Sequence, residues 1–134
     1  MQGLWTQDLF SYAGQCYQFQ DVGIAPRPST PPPIFIGGNS PLAIKRAANQ
    51  AGWIGMNHSI EELKPLLNTL QELSAGEAAA YVIAAEPLSE DYLGSLAALN
   101  VKGIVLMPWA VMEPDSEPLE EKMRAMTALA EYWL

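Results

Sequence analysis

Residues 33 to 41 have the sequence Pro-Ile-Phe-Ile-Gly-Gly-Asn-Ser-Pro, which is typical of a buried strand that runs into a glycine turn and then a helix start. Its apolar, strand-favouring start predicts a buried strand over Ile34 to Gly37. Two glycines then form a turn, Ser40 can cap a helix, and Pro41 suits the first position of that helix. The free N–H groups of such a helix start favour an anion such as phosphate. A plain tight turn between strand and helix would have the same sequence, so both interpretations stay open.

Outward from this junction, apolar runs alternate with amphipathic stretches. This alternation is typical of consecutive βα units with parallel strands, so we predict an α/β domain over residues 33–134. The predicted strands are Ile34 to Gly37, Trp53 to Met56, Tyr81 to Ala85 and Ile104 to Met107.

A helix is predicted after each strand. The first runs from Pro41 to about Ala51, the second is capped by Ser59, the third is capped by Ser89, and the last covers about Glu117 to Trp133. Ser59 followed by Glu62 is a capping-box pattern, although Pro65 predicts a kink or a later start of the second helix. The last helix has an apolar stripe that we expect to be core: Leu119, Met123, Met126, Ala130 and Trp133.

Residues 1–32 have a different pattern. They predict a short helix around Leu4 to Tyr12, a strand or hairpin arm containing Tyr17 and Phe19, and a proline-rich connector. A proline-rich segment can bind SH3-type modules, but this one leads directly into an apolar strand, which favours a stiff connector.

Composition excludes several classes of protein. The net charge of −8 opposes binding to nucleic acid or to an anionic membrane surface. No apolar run approaches the roughly 20 residues that span a bilayer, and the start lacks the features of a signal peptide, so we expect a cytoplasmic protein. Cys16 is the only cysteine, which rules out a disulfide within the chain.

Four βα units amount to half of a (β/α)8 barrel, whose complete form takes about 250 residues. A half barrel leaves two strand edges and an apolar inner face uncovered. We therefore expect self-association, pairing with a missing half, or an open sheet.

Several blocks of the chain resemble the luciferase-like monooxygenase family, which includes FMN-dependent and F420-dependent oxidoreductases. The resemblance rests on Leu4-Trp5-Thr6 with Phe10, Gly14, Tyr17 and Phe19, on Pro33 to Ser40 with Ala43 and Arg46-Ala47-Ala48, on Ala51-Gly52-Trp53, and on Val101 to Pro108. It implies that the chain corresponds to the C-terminal part of a TIM-barrel enzyme.

The resemblance further implies a role for the glycine turn. Gly37, Gly38, Asn39 and Ser40 would meet the phosphate of FMN or F420, while most proton-transfer residues would belong to the missing half, so the catalytic residues are unknown. Family members often have Asp-Gly-Trp where this chain has Ala51-Gly52-Trp53, so any polar role of that aspartate is absent.

Two further residues are candidates for a pocket. His58 and Trp109 follow predicted strands, at the end of a barrel where functional residues gather. The alternative for each is a surface or packing role in a loop. We predict no metal site, because the sequence contains no constellation of metal ligands and the acidic residues 113–121 fit a solvated loop and helix start.

The leading hypothesis is a C-terminal fragment of a flavin- or F420-dependent oxidoreductase that contributes phosphate anchoring and is inactive by itself. The alternative is a non-catalytic half barrel that acts as a self-associating assembly module, such as a homodimer.

Overall fold

The computed structural model of the chain describes residues 1–56, 58–84, 88–106 and 119–133. The chain divides into two compact units, Met1–Pro33 and Ile34–Leu134.

The first unit contains a short helix followed by a hairpin. Helix α1 spans Gln2–Thr6, and strands β1 (Phe10–Ala13) and β2 (Gln18–Val22) pair antiparallel. The predicted helix over Leu4 to Tyr12 is therefore wrong in its second half, whereas the hairpin arm is confirmed. The reason is a cross-strand aromatic cluster, because the Phe19 ring lies 5.8 Å from the Phe10 ring and 5.9 Å from the Tyr12 ring.

The second unit is an α/β structure around one parallel sheet. Its strands are β3 (Phe35–Gly37), β4 (Gly52–Met56), β5 (Ala79–Ile83) and β6 (Val101–Val105), adjacent in that order and all parallel. The helices that follow them are α2 (Pro41–Ala47), α3 (Ile60–Ser74), α4 (Glu90–Ala98) and α5 (Leu119–Trp133). The predicted order of four βα units is confirmed.

Some boundaries differ from the prediction. Strands β5 and β6 begin two and three residues earlier than the apolar runs suggest, because the ladder already pairs Ala80 with Val101. The polar Lys102 lies within β6 at a register irregularity, between this pair and the pair of Tyr81 with Gly103. Helix α2 ends at Ala47 rather than near Ala51. There the Asn49 amide donates to the Lys45 carbonyl at 2.8 Å, which satisfies a C-terminal carbonyl and replaces a further helical turn.

Helix α3 begins directly after its cap. Ser59 and Glu62 form the predicted capping box, and the helix continues through Pro65 without a later start. The hydrogen bond lost at Pro65 is offset by burial of the helix's apolar face, since Leu63, Leu67 and Leu70 are each 1% exposed.

Within the described part of this second unit, helices cover one face of the sheet and leave the other open. Alternate strand residues point to opposite faces. On the covered face Trp53, Ala80 and Val82 pack in a core with α2, α3 and α4. The other face, which we call the open face, carries Ile54 and Met56, which are 36% and 57% exposed. It also carries the side chains of Phe35, Tyr81, Ile83 and Val105.

Helix α5 contradicts the expected core stripe. Leu119, Met123 and Met126 are 72%, 59% and 52% exposed, so its apolar face is uncovered among the described residues. Helical periodicity predicts which residues share a face, but not whether a partner is present to bury that face.

Candidate functional site

The glycine turn lies at the C-terminal end of β3, where the ligand sites of parallel α/β structures are built. Strand β3 ends at Gly37, and Gly38 has a φ angle of 97°, in a region that residues with a side chain rarely adopt. Ser40 then caps α2 by accepting a hydrogen bond from the Ala43 N–H at 3.2 Å. The strand, turn and cap are therefore arranged as the local sequence predicts.

A buried tryptophan holds this turn from the neighbouring strand. Trp53, in β4, is 0% exposed, and its indole Nε1–H donates to the Gly38 carbonyl at 2.8 Å. Gly55 makes this possible, because a Cβ at that position would collide with the six-membered ring of Trp53. The backbone of the turn is thus fixed by a hydrogen bond from inside the core.

His58 holds the side chain of the turn. Its Nε2 lies 2.9 Å from Asn39 Oδ1, and its ring packs against Trp53 with centroids 5.9 Å apart. In the tautomer with the proton on Nε2, His58 donates to this oxygen, because an amide oxygen only accepts hydrogen bonds. Asn39 therefore keeps its two amide N–H donors for another partner. The His58 side chain is only 10% exposed, so its position is well constrained.

The capping box of α3 lies beside His58. The Ser59 backbone N–H donates to Glu62 Oε2 at 2.9 Å, and His58 Nδ1 lies 3.9 Å from the same oxygen. The Ser59 backbone N–H is the main cause, and the Ser59 hydroxyl the second, of a pKa of Glu62 below its ordinary value, with His58 adding a smaller lowering. The carboxylate is therefore engaged by the start of its own helix.

The turn presents hydrogen-bond donors. Among the described residues, the backbone N–H groups of Asn39 and Ser40 donate to no protein oxygen, and the Asn39 amide and Ser40 hydroxyl add further donors. A phosphate, which only accepts hydrogen bonds when ionised, fits this set. With seven residues, α2 is too short for the dipole effect expected from a longer helix to carry much of the binding.

The structure brings together five of the six site residues predicted from sequence, namely Gly37, Gly38, Asn39, Ser40 and His58. Trp109 and the acidic residues 113–118 lie outside the described residues. Sequence reasoning missed the roles of Trp53 and Gly55. The signal that could have revealed them is a glycine two residues after a tryptophan in a buried strand. Such a glycine leaves room for the indole ring to lie over the strand.

The described ranges offer no metal site and no membrane span. No group of three or more metal-ligating side chains occurs there. No helix within those ranges is long and apolar enough to cross a membrane.

The chain has recognisable relatives. The family model for luciferase-like monooxygenases matches residues 1–88. An uncharacterised protein of Mycobacterium tuberculosis (strain H37Rv) is 31% identical over 138 aligned positions, which cover 98% of this chain and 48% of that protein. The FMNH2-dependent dimethylsulfone monooxygenases of Pseudomonas fluorescens and Pseudomonas putida are 33% and 35% identical over 56% of this chain, and 21% and 22% of their own lengths.

The chain thus spans about half the length of the mycobacterial relative. Its similarity to the two Pseudomonas enzymes covers a smaller share of their lengths. The family match includes the hairpin, the glycine turn, Trp53 and His58. On this evidence, the chain belongs to the luciferase-like monooxygenase family.

Proposed function

We propose that this chain forms the C-terminal half of a flavin-dependent oxidoreductase barrel and anchors the phosphate of flavin mononucleotide. The observation that carries the proposal is the glycine turn, whose Gly38 carbonyl is held by Trp53 and whose Asn39 side chain is held by His58. Both contacts come from the β4 side of the turn, so the donors of Asn39 and Ser40 are preorganised without a ligand.

The family supports the choice of flavin. Two relatives are named as FMNH2-dependent enzymes, and their similarity to this chain covers 56% of it. When bound, reduced flavin would supply the electrons for the redox chemistry, and the residues of this chain would bind and orient its phosphate end. F420 also carries a phosphate and would meet the same donors, so it is the competing cofactor.

The arrangement of the sheet supports the proposed half barrel. Four adjacent parallel strands, each followed by a helix, leave the open face where the interior of a closed barrel would lie. Reaction chemistry at the ring end of the cofactor would then need residues from outside this chain. We therefore expect the isolated chain to bind the phosphate end and to lack oxidoreductase activity.

Binding is best followed residue by residue. Flavin mononucleotide is titrated into 15N-labelled protein, and we expect saturable shifts of the amide signals of Gly38, Asn39 and Ser40. Riboflavin, which lacks the phosphate, should bind at least tenfold more weakly. Equal affinity for the two flavins, or no saturable shift at these amides, would contradict the proposal, and a tighter response to F420 would reassign the cofactor.

Gly38→Asp provides the matching variant, because it places a carboxylate in the turn at a positive φ angle. Its control is Gly76→Asp, since Gly76 also has a positive φ angle (81°) but follows α3, at the opposite end of the sheet. We expect Gly38→Asp to abolish flavin mononucleotide binding and Gly76→Asp to retain it. Loss in both variants would point to a folding defect, which the circular dichroism spectrum of each would reveal.

A further inference from the structure

His58 contacts three different elements of the second unit through its imidazole ring. Its Nε2 lies 2.9 Å from Asn39 Oδ1 in the glycine turn, and its Nδ1 lies 3.9 Å from Glu62 Oε2 at the start of α3. The ring packs against Trp53 of β4, with the two ring centroids 5.9 Å apart. Because the side chain is only 10% exposed, these contacts leave the ring little freedom to turn.

Both ring nitrogens of His58 face an oxygen that only accepts. The amide oxygen of Asn39 is a hydrogen-bond acceptor, and so is the ionised carboxylate of Glu62, whereas a neutral imidazole carries one N–H and one acceptor nitrogen. The protonated ring carries N–H groups on both nitrogens and suits both neighbours at once. The ring of Trp53 adds to this preference, because an aromatic ring attracts a cation at about 6 Å from its centroid. The surroundings therefore fit the charged form of His58.

Loss of a proton from His58 would change what Asn39 presents. The nearby carboxylate of Glu62 favours a proton on Nδ1, so the neutral ring would lose the proton on Nε2. Nε2 would then be an acceptor that faces the amide oxygen, another acceptor. A half-turn of the Asn39 amide removes this conflict, because it places the N–H groups on His58. The amide oxygen would then point to where the N–H groups had been.

We propose that His58 is a positioning residue for phosphate, whose protonated form directs the Asn39 amide N–H groups to the ligand and whose neutral form directs the amide oxygen there. The inference rests on the proposed function, because its ligand is the phosphate of flavin mononucleotide. An ionised phosphate accepts hydrogen bonds from the first orientation and is repelled by the second. The charge of the imidazolium adds attraction. Phosphate binding therefore weakens as His58 loses its proton.

The pH range for a test follows from the groups that face His58. Of the described residues, Glu62 supplies the carboxylate within 4 Å of the ring, while Asn39 and Trp53, on the other two elements, do not titrate. The Ser59 backbone N–H holds the pKa of Glu62 below its ordinary value of 4.5, so this carboxylate stays ionised at pH 6 and above. Histidine ordinarily changes its charge between about pH 5 and 8. A comparison of pH 6 with pH 8 therefore addresses the charge of His58 and leaves that of Glu62 constant.

The association constants of flavin mononucleotide and of riboflavin are measured on the full chain at both pH values. Their ratio reports the contribution of the phosphate alone. We expect the ratio to fall about fivefold or more from pH 6 to pH 8, as is typical of coupling between two bound ligands, here a proton and the phosphate. The phosphate itself gains negative charge over this range, since its second pKa is about 6, and this would raise the ratio. A fall therefore identifies a group of the protein.

Two substitutions separate the hydrogen bond of His58 from the packing of its ring. His58→Gln keeps an N–H donor for Asn39 Oδ1 but does not titrate, so its ratio should not fall between pH 6 and pH 8. His58→Phe keeps a ring against Trp53 but has no donor, so its ratio should be low at both pH values. Circular dichroism checks that each variant is folded.

The ligand-free protein gives a spectroscopic test that does not depend on the variants. In the nuclear magnetic resonance spectrum, the side-chain amide signals of Asn39 should shift with the same pH midpoint as the ring signals of His58. Asn39 signals that do not follow the titration of His58 would overturn the proposal.

The phosphate site and the role of His58 can fail separately. No preference for flavin mononucleotide over riboflavin at either pH overturns both. A preference that is equal at the two pH values in the wild type, or that His58→Phe retains in full, overturns the role of His58 and keeps the phosphate site.

Discussion

The two faces of the parallel sheet are formed by alternate residues of the same strands, yet their surroundings are opposite. Trp53 is 0% exposed beneath the helices, while its neighbour Ile54 is 36% exposed on the open face. Both residues are large and apolar, so the difference comes from which face has a partner. The comparison indicates that the covered face stabilises this unit, whereas the open face leaves large apolar side chains partly exposed among the described residues.

The largest expected effect is on the free energy of unfolding, and it differs between substitutions of Trp53 and of Ile54. Trp53→Ala removes a fully buried side chain and leaves the Gly38 carbonyl without its donor, so we expect a loss of about 3–5 kcal/mol of unfolding free energy. Ile54→Ala at low protein concentration should cost about 1–2 kcal/mol, because that side chain is already partly hydrated. Urea denaturation measures both.

Protein concentration gives a second test of the difference between the two faces. If self-association covers the open face, the cost of Ile54→Ala should rise with protein concentration, whereas the cost of Trp53→Ala should change less. Equal costs for the two variants at low concentration would show that the faces do not differ in their contribution to stability.

Gly55→Ala tests the contact that lets Trp53 lie over its own strand. A methyl group there would collide with the indole ring, so we expect a loss of about 1–3 kcal/mol through displacement of the ring. Displacement of the indole should also weaken its hydrogen bond to the Gly38 carbonyl. We expect tryptophan fluorescence to change as a result. Gly94→Ala is the control, since a Cβ at this position of α4 has no heavy atom within 4 Å. An unchanged stability of Gly55→Ala would mean that the ring has room to move.

The turn at residues 37–40 is predictable from sequence because its determinants are local. Glycine at a positive φ angle, a serine cap and a proline at the first helical position are all adjacent in the chain. The contacts that hold the turn are not local, since Trp53 lies 15 residues from Gly38 and His58 lies 19 residues from Asn39. Only the fold shows that these residues meet.

The difference between local and distant determinants also explains the errors in the predicted strand boundaries. Strand β6 begins at Val101 because this residue pairs with Ala80, which is distant in sequence. Lys102, a residue whose propensity does not favour a strand, lies at the register irregularity between that pair and the pair Tyr81–Gly103. The stripe of α5 shows the opposite limit. Its periodicity predicts an apolar face correctly, but exposure depends on what lies against that face.

A smaller effect is expected at the caps of the helices that cover the sheet. Ser89 accepts a hydrogen bond from the Tyr92 N–H at 3.2 Å, so Ser89→Ala should cost about 1 kcal/mol. Ser95→Ala, within the same helix, removes only an exposed hydroxyl bonded to the Asp91 carbonyl and should change stability by less than about 0.5 kcal/mol. Thermal unfolding of the two variants measures the difference, and an equal effect of both would exclude a special role for the cap.

The smallest expected effect is a pH dependence at the start of α3. The pKa of Glu62 in the folded chain lies below its ordinary value near 4.5, chiefly because the Ser59 backbone N–H donates to the carboxylate. A carboxylate whose pKa falls on folding contributes stability that is fully present above the unfolded pKa and is lost as the pH drops through the folded pKa. Glu62→Gln keeps an acceptor for the Ser59 N–H but cannot titrate. Its unfolding free energy should therefore fall less than that of the wild type as the pH drops below about 4.5.

Glu61→Gln is the control for this last prediction, because Glu61 occupies the same first turn of α3 but accepts no hydrogen bond from a described side chain or from the cap. It removes the same charge near the helix start without touching the capping box. If the pH profiles of the two variants coincide, the stabilisation comes from general charge at the helix start rather than from the bond to Ser59. If only Glu62→Gln flattens the acid limb, the capping box accounts for the dependence, and the anchoring of the helix beside His58 is itself weakened in acid.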